Sequence, residues 1–144
     1  MRAVDTNVLV YTGRVEPPEH AAAQRVLQDL ATGSELWVLP WPCVYEFLRV
    51  VTHPRVFYPP TPIMEAWAEV EVLLDSPSAV PIAEGARHRE ILRDLLHAVP
   101  LTGNVLHDAH IAALLIEHGV DEIITADEDF RRFPGLKVTN PFRP

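Results

Sequence analysis

Cysteine is nearly absent. Cys43 is the only one, so no disulfide can form within the chain and a reducing cytoplasm is the expected setting. Long apolar runs are missing as well: the longest stretch without Asp, Glu, Lys or Arg is the 13 residues from Leu95 to His107, against the roughly 20 that a membrane-spanning helix needs. Met1-Arg2-Ala3-Val4-Asp5 sets an acid where a secretory signal would need its hydrophobic segment. A soluble protein is expected. There is no Gly-rich phosphate loop, no serine elbow, no HExxH and no internal repeat. Positive charge is scarce too, with 12 Lys and Arg against 20 Asp and Glu and a formal charge of −8. Such a surface repels a polyanion unless basic residues cluster or cations intervene.

What is present suits one globular domain. The 144 residues are 48% hydrophobic and 22% charged, enough to bury a single core without a disulfide or structural metal. The 14 prolines, about twice the ~5% average usage, are expected between periodic segments, where a missing amide donor is tolerated. Between them strands and helices alternate. Strands are predicted at Arg2 to Asp5, Leu36 to Leu39, Ala79 to Ala83, Glu122 to Thr125 and Leu136 to Thr139. Helices are predicted at Glu19 to Ala31, Val44 to Val51, Ile63 to Leu74, Gly85 to His97 and Asn104 to His118, with a helical turn at Glu128 to Arg132. Asn7 to Tyr11 fits either a buried helical turn or a continued strand. The alternation predicts a mainly parallel sheet with helices on both faces, and ligands beyond the carboxyl ends of its strands.

Acids stand at those ends. Asp5 closes the first strand, Asp127 and Asp129 follow the fourth, Asp108 lies in the first turns of a long helix, and Glu46 sits on the apolar helix after the second strand. Carboxylates crowded together repel, and a divalent cation reverses that cost. Four or five acids from four distant segments fit hydrolysis of a phosphate ester by metal-activated water better than covalent catalysis.

The same residues carry a family resemblance. Val4-Asp5-Thr6-Asn7-Val8-Leu9-Val10-Tyr11, Tyr45-Glu46-Phe47-Leu48-Arg49, His107-Asp108-Ala109-His110-Ile111-Ala112-Ala113 and Thr125-Ala126-Asp127-Glu128-Asp129-Phe130 resemble, in order, the four acidic motifs of PIN-domain ribonucleases. The segments Pro40-Trp41-Pro42-Cys43-Val44-Tyr45-Glu46 and Phe133-Pro134-Gly135-Leu136 are similar to a group of VapC toxins from bacterial toxin–antitoxin modules. The resemblance implies one three-layer α/β/α domain over residues 1–144 and a Mg2+- or Mn2+-dependent endoribonuclease. It also implies a VapB-like antitoxin partner and a homodimer. It assigns metal binding to Asp5, Glu46, Asp108 and Asp127, leaves Asp127 and Asp129 as alternatives for the last position, and gives Thr6, Asn7 and Thr125 the task of orienting carboxylates. Capping or turn formation is the plainer role for these three.

Other charged residues are open to two readings. Arg49 lies beside the second motif, and Arg89, Arg93 and His97 recur at i+4 as a possible phosphate-binding stripe; Glu84, Glu90 and Asp94 interleave and favour an ordinary ion-paired face. Arg55, Arg131 and Arg132 also lie near motif acids. His107 and His110 flank Asp108, but one helical face cannot present all three to a single zinc or iron ion, so His110 reads as a surface residue. The aromatic, proline-rich segment Val56 to Ile63 is a candidate interface. Alternatives to the toxin reading are a housekeeping PIN nuclease, a PIN fold kept only for interaction, and a phosphotransfer domain using Asp5. Asn7 stands where the last would need a second acid.

Overall fold

The computed structural model describes residues 1–143. Its strands are β1 (Arg2–Val4), β2 (Trp37–Pro40), β3 (Ala79–Ile82), β4 (Glu122–Ile124) and β5 (Lys137–Thr139), and its helices are α1 (Thr6–Gly13), α2 (His20–Thr32), α3 (Trp41–Val51), α4 (Ile63–Leu74), α5 (His88–Ala98) and α6 (Val105–Glu117). A 3-10 turn covers Glu128–Arg132. The strands form one sheet in the order β3-β2-β1-β4-β5, with every neighbouring pair parallel.

That order dictates the layers. The chain steps outward from β1 to β2 to β3, then returns past β1 to β4 and β5. Right-handed crossovers place the helices of opposite-going connections on opposite faces. Accordingly α1 to α4 pack together, while α5 packs on α6 and α6 on the 3-10 turn. The three-layer α/β/α arrangement follows, and the strand order reverses between β1 and β4.

The core is apolar on both faces of the sheet. All four β2 residues are buried, the near-continuous hydrophobic run expected of a parallel strand covered on both sides. Trp37, fully buried, donates from Nε1 to Ser78 Oγ at 3.2 Å, and Ser78 Oγ donates to Leu30 O at 3.0 Å. On α2 the buried residues are Ala23, Leu27 and Leu30, with Ala22 and Val26 half-buried beside them.

Local expectations are corrected in three places. Prolines do not all fall between elements: Pro40 ends β2, Pro42 lies in the first turn of α3 and Pro81 is inside β3. The first turn of a helix has no intrahelical use for its amides, so α3 starts at Trp41 rather than Val44. The edge position of β3 leaves one side of the strand unpaired, where a proline costs no ladder bond. Asn7 to Tyr11, which fitted either a helical turn or a continued strand, is helical, within α1. Finally, α5 begins at His88, because the Glu117 carboxylate accepts the Gly85 and Arg87 amides at 2.9 Å and holds the approach to the helix as a loop.

Gly135 turns the chain from the 3-10 segment into β5 with φ +80° and open space where a Cβ would stand. Gly135→Ala therefore costs backbone strain alone, about 1–2 kcal/mol. Urea unfolding should show that loss with an unchanged m-value.

Candidate functional site

Asp5 occupies the junction between β1 and α1. Its backbone is extended, its side chain caps the helix by accepting the Thr6 amide at 2.7 Å, and its own amide donates to Ile124 O across the sheet at 3.1 Å. A strand that runs directly into a helix needs a short acceptor at that point, and aspartate supplies one. The rest of the carboxylate is also engaged. Oδ2 accepts from Thr125 Oγ1 at 2.7 Å and from Asn7 Nδ2 at 3.2 Å, and Oδ1 faces the Cys43 thiol at 3.7 Å.

Thr125, fully buried at the end of β4, ties the two neighbouring strand ends together. Besides donating to Asp5, its Oγ1 accepts from Asn7 Nδ2 at 3.0 Å and from the Asp127 amide at 2.9 Å. Asn7 completes the bridge by accepting the Ala126 amide at 3.1 Å through Oδ1. The register that sets Val4 beside Ile124 makes this network possible. Thr6 differs: its Oγ1 is buried with no hydrogen-bond partner among the described residues. Cys43 is buried beside Asp5, a placement its solitary position in the sequence does not indicate. Burial first, and the Asp5 charge second, push its thiol well above the ordinary range, so it faces Asp5 as a neutral S–H donor.

Beyond this network lie the remaining acids. Asp108, in the first turn of α6, Asp127 and Asp129 each bring a carboxylate oxygen to within 4.8 Å of the other two. Asp127 Oδ1 accepts the Asp129 amide at 2.8 Å, which caps the 3-10 turn and fixes the spacing of that pair. The two alternatives for the last motif position therefore sit in one group with Asp108. Glu46 stands apart from this triplet: it faces Arg49 on its own helix at 2.5 and 3.1 Å. Arg49 and then, after an opposing effect of burial, the His107 imidazole hold Glu46 below the usual carboxylate range. His107 also acts on Asp5, so it lies near both Asp5 and Glu46, which sequence spacing did not reveal.

Electrostatics mark Asp108. Burial first, then the charges of Asp127, Asp5 and Asp129, raise its pKa from 3.8 to about 7, opposed by Arg132. Asp5 is raised for the same leading reason, although Thr125 and Thr6 counteract it. The sign follows directly. A carboxyl that holds its proton more tightly when folded lets stability fall as pH climbs from its unfolded to its folded value. Without added cation, the melting temperature should decline between about pH 4 and about pH 7, most visibly in low salt. A profile that rises through this window would contradict the crowding.

The basic residues have mostly local partners. Arg93 meets Asp94 at 3.7 Å, Arg89 is exposed on α5 with His97, and Arg131 pairs with Glu128. Arg132 lies 3.5 Å from Asp129, at the edge of the acid triplet. The expected stripe on α5 is thus an exposed, partly ion-paired face. His107, Asp108 and His110 do not converge on one point. His110 lies at the surface of α6, partly covered, and meets Glu84 there. In the candidate interface segment, Phe57 turns back against the core beneath Arg14, at 4.6 Å from the ring centroid, while Tyr58 is 91% exposed.

The chain is similar to known proteins over nearly its whole length. The PIN domain family profile matches residues 2–136. Ribonuclease VapC43 of Mycobacterium tuberculosis is 40% identical over 141 residues, which span 98% of this chain and 95% of that one. Among solved structures, VapBC2 from Rickettsia felis, bound to a promoter DNA fragment, superposes with a TM-score of 0.67 at 18% identity over 96% of this chain and 97% of its own. The sarcin-ricin loop cleaving toxin VapC20 of Mycobacterium tuberculosis gives 0.67 at 18% identity over 91% and 93%. At that identity the structures speak for the fold alone; the profile and the 40% relative carry the descent. On that descent the chain belongs to the PIN-domain family, among the VapC ribonucleases.

Proposed function

We propose that the chain is a Mg2+- or Mn2+-dependent endoribonuclease and the toxin of a VapBC-type toxin–antitoxin pair. The observation that carries this reading is the convergence of Asp108, Asp127 and Asp129, beside Asp5, at the reversal of strand order, where burial first and then the neighbouring carboxylates raise Asp108 to about 7. All four offer only carboxylate oxygens, the donor type that Mg2+ and Mn2+ accept and that softer ions do not require. Asp5, Asp108 and Asp127 would hold the ion, with Asp129 next to them and Glu46 at the rim. Bound there, such an ion supplies positive charge for a phosphodiester and acidifies water for attack on it.

The chain's own residues do the rest. Thr125, Asn7 and the Thr6 amide keep Asp5 in a single orientation, so the site needs little rearrangement to accept a cation. In the cation-free state Asp108 keeps a proton up to neutral pH, which removes one of the repelling charges. Arg132 stands where a substrate phosphate would approach the triplet. Arg49 becomes available to RNA if Glu46 turns toward the ion, while Arg89 and Arg93 offer weaker, salt-sensitive contacts further out.

The antitoxin and the second copy of the chain have candidate surfaces. An apolar groove of about 370 Å³ runs among α1 to α4, lined by Leu9, Leu27, Val44, Phe47, Val70 and Leu73, and suits an apolar antitoxin segment. A basic side chain of that partner would be attracted to the carboxylates. Exposed Val56, Tyr58 and Ile63 offer apolar area for the dimer. Among the described residues no helix is long and apolar enough to cross a membrane, and we place the protein with its RNA in the cytoplasm. The test is cleavage of structured RNA in millimolar Mg2+ or Mn2+. Chelator should reduce cleavage to background and excess Mg2+ should restore it. Cleavage persisting in chelator would overturn the metal-dependent reading.

A further inference from the structure

A second convergence of ligating side chains lies on another part of α6. Glu84 follows β3, His88 opens α5, and His110 is on α6; each brings one ligand-competent atom to within 4.8 Å of the other two. His110 Nε2 stands 2.5 Å from Glu84 Oε1, and the His88 and His110 rings meet edge to face with centroids 5.5 Å apart. The three residues line an open depression of about 700 Å³, with Asn104 and His107 on its wall. His88 Nδ1 is buried and has no hydrogen-bond partner among the described residues. Other histidines are committed: His20 Nδ1 contacts Tyr11 O at 2.7 Å, and His118 Nε2 contacts Ala83 O at 2.8 Å.

We propose that Glu84, His88 and His110 form a second metal site, distinct from the carboxylate crevice, that takes a borderline divalent ion of the Zn2+ class. Two imidazoles and one carboxylate are a three-ligand zinc set with a fourth position left open, here toward the depression. Imidazole nitrogen also separates the two sites chemically, because Mg2+ prefers oxygen donors while Zn2+ accepts nitrogen readily. A Glu84–His110 hydrogen bond by itself accounts for two of the residues and leaves His88 without a partner. An ion engages all three. Ligand atoms around tetrahedral zinc lie about 3.3 Å apart, and Glu84, whose side chain is 46% exposed, is free to close the remaining gap.

Occupancy would have a mechanical consequence. The ion would join the segment between β3 and α5 to α6, across 26 residues of sequence, and so brace the helix whose first turn holds Asp108. Because the unfolded chain lacks the site, zinc should stabilise the fold.

The experiment uses the full chain, stripped of metal and without RNA, so its outcome does not depend on the nuclease reading. Zn2+ titration by calorimetry should show one site in the wild type and in the Asp108→Asn/Asp127→Asn double variant. Glu84→Gln should weaken binding at least about tenfold, and His88→Ala and His110→Ala should weaken it further. Co2+ added to the wild type should give the strong visible absorption of a four-coordinate nitrogen–oxygen site, and Zn2+ should abolish it. Circular dichroism checks that each variant is folded, and His88→Gln replaces His88→Ala if the latter is not. Three results overturn the proposal: no Zn2+ binding to wild type, Zn2+ binding unchanged in His88→Ala/His110→Ala, or Zn2+ binding lost in Asp108→Asn/Asp127→Asn.

Discussion

Replacing Asp108 by Asn should lower RNA cleavage by roughly 10²–10⁴-fold, since a metal-stabilised phosphodiester transition state draws several kcal/mol from the ion and each 1.36 kcal/mol is tenfold in rate. The change keeps the side chain's shape and removes one negative ligand from the group with Asp127 and Asp129. It should also make the cation-free protein more stable. At pH 8 the wild-type Asp108, raised to about 7, is ionised against Asp127, Asp5 and Asp129; the amide abolishes that repulsion. At pH 5 the wild-type group already holds a proton, so the stability difference should shrink. Melting curves at the two pH values, without and with Mg2+, test this directly. Added Mg2+ should stabilise the wild type and do little for the variant. Asp5→Asn should lose activity to a similar degree with the opposite stability effect. Its carboxylate accepts from Thr6, Thr125 and Asn7, and an amide would set a donor against donors. A folded Asp108→Asn variant with wild-type cleavage would remove Asp108 from the mechanism.

Thr125→Val should be the most damaging change among residues that need not touch the ion. Valine fills the same space in a fully buried position but supplies no hydroxyl. Asp5 Oδ2 loses a donor at 2.7 Å, the Asp127 amide loses its acceptor at 2.9 Å, and Asn7 loses one at 3.0 Å. Leaving such groups unpaired costs about 1–3 kcal/mol each where water cannot replace the partner. Groups that orient metal-binding side chains typically govern 10–100-fold in metal affinity or activity. The expected result is a loss of about 2–3 kcal/mol in urea unfolding, with RNA cleavage and Mg2+ affinity each down by roughly 10–100-fold. Thr125→Ser keeps the hydroxyl and should recover most of both. If Thr125→Val lost stability while keeping full Mg2+ affinity and cleavage, Thr125 would be a strand cap with no hold on the site.

Much of the fold could be read along the chain because its signals are local. The bounds Ile63–Leu74 follow from apolar spacing behind a proline-rich loop, and the structure has α4 there. Reading failed where a distant partner set the outcome. The start of α5 depends on Glu117 holding the Gly85 and Arg87 amides, and no residue near Gly85 announces that. The tolerance of Pro81 depends on β3 being an edge strand, a property of strand order. Among the site residues, the acids were legible as residue types at strand ends. The exposed, partly paired basic face of α5 was legible only as one of two readings, and the partnership of Glu46 with Arg49 was not foreseen.

By itself the sequence determined which side chains carry charge and how strands and helices alternate. It also set a short acid where β1 must pass into α1. Those are properties of neighbours within a few residues, decided by periodicity, capping and the scarcity of bases. The tertiary structure alone decided the rest. Parallel pairing of β1 with β4 brings Thr125 to Asp5 across 120 positions, and packing of α6 beside the 3-10 turn groups Asp108 with Asp127 and Asp129. Packing of α5 on α6 draws Glu84 and His88 to His110. Burial and repulsion act through space and depend on distance, so the raised proton affinity of Asp108 exists only once the chain has folded.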